Sequence, residues 1–182
     1  MRSEIGKPER LKILRDEKPM VVTLRPSPYP IEMPKLPGPP KVGSTAPPIT
    51  VDLLTGPKRL VDGKPRLLFF WATWCAICKS ALPEVLAFSQ ARDIEVVAIT
   101  DEEPETVRAF LKSYPEPFPS VVAVDRHRLT FQGYGVSGLP TLVLMDGQAI
   151  VQHYKTGYKR KSGLGIEGWK WDQVAPQASG SP

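Results

Sequence analysis

The chain has 182 residues, of which 41% are hydrophobic and 24% charged, and it carries a formal net charge of +5. This composition suits one globular domain with additional segments, and no run approaches the ~18 consecutive apolar residues of a membrane-spanning helix. The positive charge is dispersed outside the centre of the chain, and the only dense basic cluster, residues 158–161, is short, so we expect no nucleic-acid partner.

The N-terminal segment contains two β-type runs, residues 11–14 and 20–24, on either side of a charged turn. This pattern predicts a β-hairpin within residues 1–25. A hairpin alone is marginally stable in water, so it either belongs to a larger unit or docks on the main domain. Residues 9–26 resemble the last two strands of a PDZ domain, which implies a remnant of a PDZ-like domain and a longer protein.

Prolines, 21 in the whole chain, cluster between Pro26 and Pro48. Such a sequence favours extended polyproline II structure and acts as a semi-rigid spacer. We therefore interpret residues 26–41 as a Pro-rich linker and residues 42–156 as the main domain.

The N-terminus lacks the apolar region of a signal peptide.

The main domain alternates between strand and helix patterns. A continuous apolar run at residues 67–71 is typical of a strand buried on both faces. The order β-α-β-α-β-(α)-β-β predicts parallel crossovers followed by an antiparallel hairpin, which is an α/β fold with a mixed central sheet. The predicted strands are residues 49–54, 67–71, 94–99, 120–124, 141–145 and 149–154, and the predicted helices are 76–90, 104–114 and a short one within 126–134. From residue 157 to residue 182 the sequence is rich in glycine without a helical pattern, and we expect an irregular, flexible tail.

The two cysteines of the chain, Cys75 and Cys78, lie between the apolar run at 67–71 and the helix pattern that follows. A cysteine at a helix N-terminus faces unpaired N–H groups and the positive end of the helix dipole, which stabilise a thiolate. A second cysteine one turn further on can attack a mixed disulfide formed by the first. The motif therefore predicts thiol–disulfide exchange, with Cys75 attacking and Cys78 resolving.

Three motifs together resemble the TlpA/ResA-type thiol–disulfide oxidoreductases, which have the thioredoxin fold. They are the lead-in VGSTAPP from Val42, the block FWATWCxxC that ends at Cys78, and the loop Val136–Thr141, and they span about residues 42–155. The resemblance implies a cis-proline at Pro140 and a substrate peptide added as a strand beside Leu139. We expect Trp74, Ala76 and Ile77 to complete the substrate groove.

The resemblance also implies the biological setting of the protein. Its substrates would be protein thiols and disulfides, an upstream redox donor would regenerate it, and it would act as a monomer without a dissociable cofactor. The family is usually periplasmic or otherwise extracytoplasmic, and it serves cell redox homeostasis, including cytochrome c biogenesis.

The sequence departs from related enzymes at the proton-relay acid. Thioredoxins place this acid six residues before the first cysteine, where this chain has Phe69, and ResA-like proteins place it three residues after the second, where it has Ala81. The pair between the cysteines is Ala76-Ile77 and not the common Gly-Pro, so the reduction potential cannot be transferred by analogy.

Three alternatives concern the same cysteines. A structural zinc needs four ligands, and only His127 and His153 could join the pair, so we expect no metal. A peroxiredoxin-like peroxide reductase would need a Pro and a Thr upstream of its cysteine, and only Thr73 is present. A redox-inert interaction module of thioredoxin fold would not need an intact CxxC motif.

Overall fold

The computed structural model describes residues 6–15, 17–27, 37–60, 63–159 and 161–170. The chain divides into two units, Met1–Lys35 and Leu36–Pro182. The first unit contains the predicted hairpin, in which β1 (Glu9–Arg15) pairs antiparallel with β2 (Lys18–Leu24). The PDZ-like origin of this hairpin stays a prediction, and most of the predicted linker, residues 28–36, lies outside the described residues.

The described part of the second unit contains six strands and three helices. The strands are β3 (Asp52–Leu53), β4 (Arg66–Phe70), β5 (Glu95–Thr100), β6 (Val121–Val124), β7 (Thr141–Met145) and β8 (Val151–Thr156), and the helices are α1 (Ala76–Arg92), α2 (Pro104–Ser113) and α3 (Leu129–Gly133). The strands form one sheet in the order β3-β6-β5-β4-β7-β8. Strands β4, β5 and β6 run parallel, whereas β3, β7 and β8 pair antiparallel with their neighbours. This confirms the predicted α/β fold with a mixed central sheet.

Strand β4 is central because its side chains are buried on both faces of the sheet. Leu67 and Phe69 pack with the buried residues of α1, whereas Leu68 and Phe70 pack on the opposite face with Phe131 of α3. Burying a side chain of this size stabilises the fold by about 1.5–3 kcal/mol. The strand that leads to Cys75 is therefore anchored from two sides.

The edge strand β3 is shorter than the predicted strand at residues 49–54. The backbone at Thr50 forms hydrogen bonds with a side chain of α3, since its N–H donates to the Thr130 hydroxyl oxygen at 2.9 Å and its carbonyl accepts from the same hydroxyl at 3.0 Å. Residues before Asp52 consequently leave the sheet ladder.

The segment after β8 differs from the expected flexible tail in its described part. Leu164 and Ile166 are fully buried in the same core cluster as α1, and Trp169 packs edge-on against Phe88 of that helix. Apolar residues can fill a core from an irregular segment, and such residues leave no periodic pattern in the sequence. Residues 171–182 of the predicted tail lie outside the described residues.

The end of the predicted linker, residues 37–41, belongs to the second unit. Gly135 approaches Pro39 so closely that a Cβ at residue 135 would lie 2.6 Å from the Pro39 nitrogen. Further along, the Gly43 N–H donates to the Val151 carbonyl at 2.7 Å. Residues 37–41, which the sequence interpretation assigned to the linker, thus lie against the thioredoxin-like domain.

Candidate redox site

The site is formed where β4 ends and α1 begins. The Trp71 N–H donates to the Ile99 carbonyl at 3.0 Å and continues the β4–β5 ladder by one residue. The chain then turns, with the Cys75 N–H bonded to the Ala72 carbonyl at 3.1 Å. Cys75 is the N-cap of α1, and its sulfur accepts the Cys78 N–H at 3.2 Å.

A disulfide joins Cys75 and Cys78. Cys75 is 4% exposed and Cys78 is 1% exposed, because the second cysteine points towards the core from the inner face of α1. No acidic side chain occupies the first turn of α1, so no carboxylate in that turn would repel an anion at the helix N-terminus, where the dipole stabilises negative charge.

Apolar side chains surround the first cysteine on the exposed side. Trp74 is 73% exposed and Ile77 is 41% exposed, and Ala76 is exposed as well. A large exposed indole costs hydrophobic free energy unless a partner covers it. By contrast, Trp71 is fully buried in the core against the rings of Phe110 and Phe118.

The loop with Pro140 lies at the same end of the sheet. In the antiparallel β4–β7 pair, Phe70 is opposite Thr141, so the register places Pro140 beside the start of the redox loop. The Leu139–Pro140 peptide bond is cis, as the family resemblance implies. The loop is secured by the Thr141 hydroxyl, which donates to the Gly138 carbonyl at 2.7 Å, and by the Gly157 N–H, which donates to the Pro140 carbonyl at 2.7 Å.

Glu102 is an acidic residue of this site that the sequence does not predict. Its carboxylate accepts the Thr73 N–H and the Thr73 hydroxyl, both at 2.6 Å, and the Thr100 hydroxyl at 3.1 Å. In the sequence, Glu102 is one of several acids before α2 and suits the positive end of that helix. No sequence signal links it to Thr73, which lies 29 residues away.

Phe69 and Ala81, which replace the relay acids of related enzymes, are both fully buried in the apolar core. Among the residues that the structure describes, no three His, Cys, Asp or Glu side chains are grouped to hold a metal ion. Within the same residues, no helix combines the length and the apolar character needed to cross a bilayer.

Comparison with known proteins places this arrangement in a family. The sequence pattern of the AhpC/TSA family matches residues 42–154. The chain belongs to the AhpC/TSA family. Its relatives include the thiol-disulfide oxidoreductase ResA of Geobacillus thermodenitrificans, which is 35% identical over 130 residues, or 68% of this chain and 74% of ResA.

Solved structures of similar fold agree with this membership. A putative thiol:disulfide interchange protein DsbE from Chlorobium tepidum superimposes on the AhpC/TSA-family chain with a TM-score of 0.56 and 29% identity, covering 70% of this chain and 93% of that structure. A 2-Cys peroxiredoxin from Plasmodium vivax has a TM-score of 0.54 at 21% identity, over 69% of this chain and 93% of its own, and shows the shared fold alone.

This AhpC/TSA-family protein is a thiol–disulfide oxidoreductase with a thioredoxin-like fold, and its substrates are protein thiols. The predicted thiol–disulfide exchange activity is thereby confirmed, and the roles of the two cysteines stay a prediction. The peroxiredoxin alternative has less support, because the chain lacks the upstream proline and the Thr73 hydroxyl is bonded to Glu102.

Proposed function

We propose that Cys75 is the attacking thiolate and Cys78 the resolving thiol of a protein disulfide reductase. The observation that carries the proposal is the position of Cys75 at the N-cap of α1, with the Cys78 N–H donating to its sulfur. Hydrogen bonds and a helix dipole directed at a sulfur stabilise its anionic form. Both cysteines are largely buried, with Cys75 4% and Cys78 1% exposed, and in this proposal the slightly more exposed Cys75 reacts with the partner.

The reaction proceeds in two exchanges. The Cys75 thiolate attacks one sulfur of a substrate disulfide, which forms a mixed disulfide and releases one substrate thiolate. Cys78 then transfers its proton to the substrate thiolate released in the first exchange and attacks the Cys75 sulfur, which releases the second substrate thiolate and leaves the Cys75–Cys78 disulfide. The substrate gains two electrons and the enzyme loses two. A separate dithiol protein, the upstream donor, returns the enzyme to its reduced form.

The substrate groove in this proposal consists of Trp74, Ala76, Ile77, Leu139 and Pro140. The first three line the exposed side of the cysteine pair, and the last two occupy the loop beside it. The exposed indole and the isoleucine suit a substrate segment with apolar residues next to its cysteine. Leu139 precedes the strand β7, so its backbone suits the addition of an extended peptide. In this proposal the protein acts as a monomer.

The assignment of the two cysteines is tested by trapping. In the Cys78→Ser variant the mixed disulfide cannot be resolved, so adducts with substrate proteins should accumulate on non-reducing gels. The Cys75→Ser variant is the matched control and should give none. Adducts with Cys75→Ser alone would reverse the roles. Parallel insulin-reduction and peroxide-consumption assays of the parent separate the disulfide reductase from a peroxide reductase.

A further inference from the structure

Glu102 connects the end of strand β5 to the loop that delivers the redox cysteine. Its two carboxylate oxygens accept three hydrogen bonds, two from Thr73 and one from Thr100. Thr73 lies between the buried Ala72 and the exposed Trp74, two residues before Cys75. A single acidic side chain therefore holds both the backbone and the side chain of the residue at the middle of the loop.

The loop has few other restraints on its outer side. Trp71 is held by the sheet and by aromatic packing, and Cys75 is held by the start of α1. Between them, Trp74 is 73% exposed, so its indole packs little against the domain. The bonds to Glu102 consequently restrain the segment that carries both the proposed substrate contact and the attacking sulfur.

We propose that Glu102 is a positioning residue for thiol–disulfide exchange, which acts through Thr73 to fix the loop residues 72–75 in the geometry for attack. This inference rests on the proposed role of Cys75. It also assigns a role to Thr73 that its position in the motif does not indicate. The Thr73 hydroxyl donates to the Glu102 carboxylate and not to the redox pair.

A carboxylate at position 102 makes these bonds stronger than a neutral side chain would. A carboxylate has only acceptor sites, and hydrogen bonds to an ionised acceptor are shorter and about twice as strong as neutral ones. A glutamine oxygen can accept the Thr73 N–H while the glutamine NH₂ donates to the Thr73 hydroxyl oxygen, so both contacts can persist only as weaker, neutral bonds. The Glu102→Gln variant therefore keeps the size of the side chain and weakens the hydrogen bonds to Thr73.

The test compares four variants by kcat/KM for insulin reduction at 25 °C, after circular dichroism has shown that each is folded. Glu102→Gln replaces the charge-assisted bonds with neutral ones and Thr73→Val removes the hydroxyl bond, and both should lower kcat/KM by about tenfold, a barrier increase of ~1.4 kcal/mol. Thr73→Ser retains a hydroxyl donor and should stay close to the parent. Glu103→Gln removes an exposed neighbouring charge and should also stay close to the parent.

Two further measurements separate positioning from other effects. Because the two residues share the hydroxyl bond, the combined loss in the double variant Glu102→Gln/Thr73→Val should be smaller than the sum of the two single losses. The second measurement is the pH midpoint of Cys75 alkylation in a Cys78→Ser background. In Thr73→Val this midpoint should rise, because the sulfur is no longer aligned with the helix N–H groups. In Thr73→Ser the alignment is kept, so the midpoint should equal the parent value.

The inference is overturned if Glu103→Gln slows the enzyme as much as Glu102→Gln, because charge alone would then explain the effect. Additive losses in the double variant, or equal behaviour of Thr73→Val and Thr73→Ser, would also overturn it. Failure of the proposed cysteine roles would be seen separately, as adducts trapped by Cys75→Ser in the otherwise unchanged protein.

Discussion

The carboxylate of Glu84, on the helix that begins at the redox cysteines, accepts the backbone N–H of Leu164 at 2.7 Å. The preceding residue, Gly163, has a positive φ of 58°, and a Cβ there would overlap the Glu84 carboxylate. The Leu164 side chain is fully buried beneath this bond. The segment after β8 is thus attached to α1 by a hydrogen bond and by apolar packing.

Leu164→Ala should lower the free energy of unfolding by about 2–5 kcal/mol, because it removes a fully buried side chain and leaves a cavity. Urea denaturation followed by circular dichroism measures this change. The matched control is Leu129→Ala, at a leucine that is 52% exposed, which should cost far less. Equal effects of the two substitutions would show that Leu164 is not part of the core.

Cys75 in the reduced protein should titrate below the ordinary thiol range, whereas Cys78 should not. The N-terminus of α1 and the Cys78 N–H stabilise a thiolate at Cys75, and burial disfavours the charged form of Cys78. Alkylation rates measured against pH in the two single Cys→Ser variants report each midpoint. Two midpoints near ~8.5, the unperturbed value, would contradict the prediction.

Removal of residues 1–35 should leave the insulin-reduction rate and the thermal midpoint of the protein unchanged, because Leu36–Pro182 is a compact unit of its own. A shorter chain that begins at Ala46 is the comparison. It lacks the Gly43 N–H bond to the Val151 carbonyl and the Ser44 carbonyl that accepts the Val151 N–H at 2.9 Å. We expect a lower thermal midpoint in this second chain only. A loss in the first chain would mean that the hairpin contributes to the stability of the domain.

The stability of the domain should fall at alkaline pH through Tyr134. Burial raises the pKa of this phenol well above its usual range, and its hydroxyl donates to the Pro47 carbonyl at 2.8 Å. Because the folded state favours the protonated form, this stabilisation is complete below pH ~10 and is lost as the pH rises above the unfolded pKa.

Tyr134→Phe tests this pH dependence. At neutral pH the variant should be less stable by ~1 kcal/mol, the typical value of one hydrogen bond. Between pH 9 and 11 its free energy of unfolding should decline less steeply than that of the parent. Parallel curves for the two proteins in urea titrations would show that Tyr134 does not titrate between the folded and unfolded states.

The order of elements and the redox pair could be predicted because each has a local signal. The run at residues 67–71 is apolar at every position, as a strand buried on both faces requires, and the two cysteines have a fixed spacing at a strand–helix junction. The bond between Thr73 and Glu102 has no such signal. It depends on the parallel pairing of β4 and β5, which brings the ends of two strands together only in the folded sheet.

The burial of Leu164 and Ile166 was missed for a different reason. Sequence patterns detect apolar residues that repeat with the period of a helix or a strand. Two apolar residues in a segment of turns have no period, and the surrounding glycines suggest an exposed chain. The two residues are buried because they pack against a surface beside α1 that would otherwise be uncovered. The sequence does not show the shape of that surface.

The deep position of Cys78 has a kinetic consequence. Cys78 is 1% exposed and Cys75 is 4% exposed, so in the proposed mechanism the enzyme presents one reactive atom, at Cys75, on one surface. A substrate with a disulfide and a donor with a dithiol must both use that surface, so they bind in turn and compete with each other. Steady-state rates measured with both proteins varied should therefore follow ping-pong kinetics, with parallel lines in double-reciprocal plots. An excess of the substrate in its reduced form, or of the donor in its oxidised form, should then inhibit turnover.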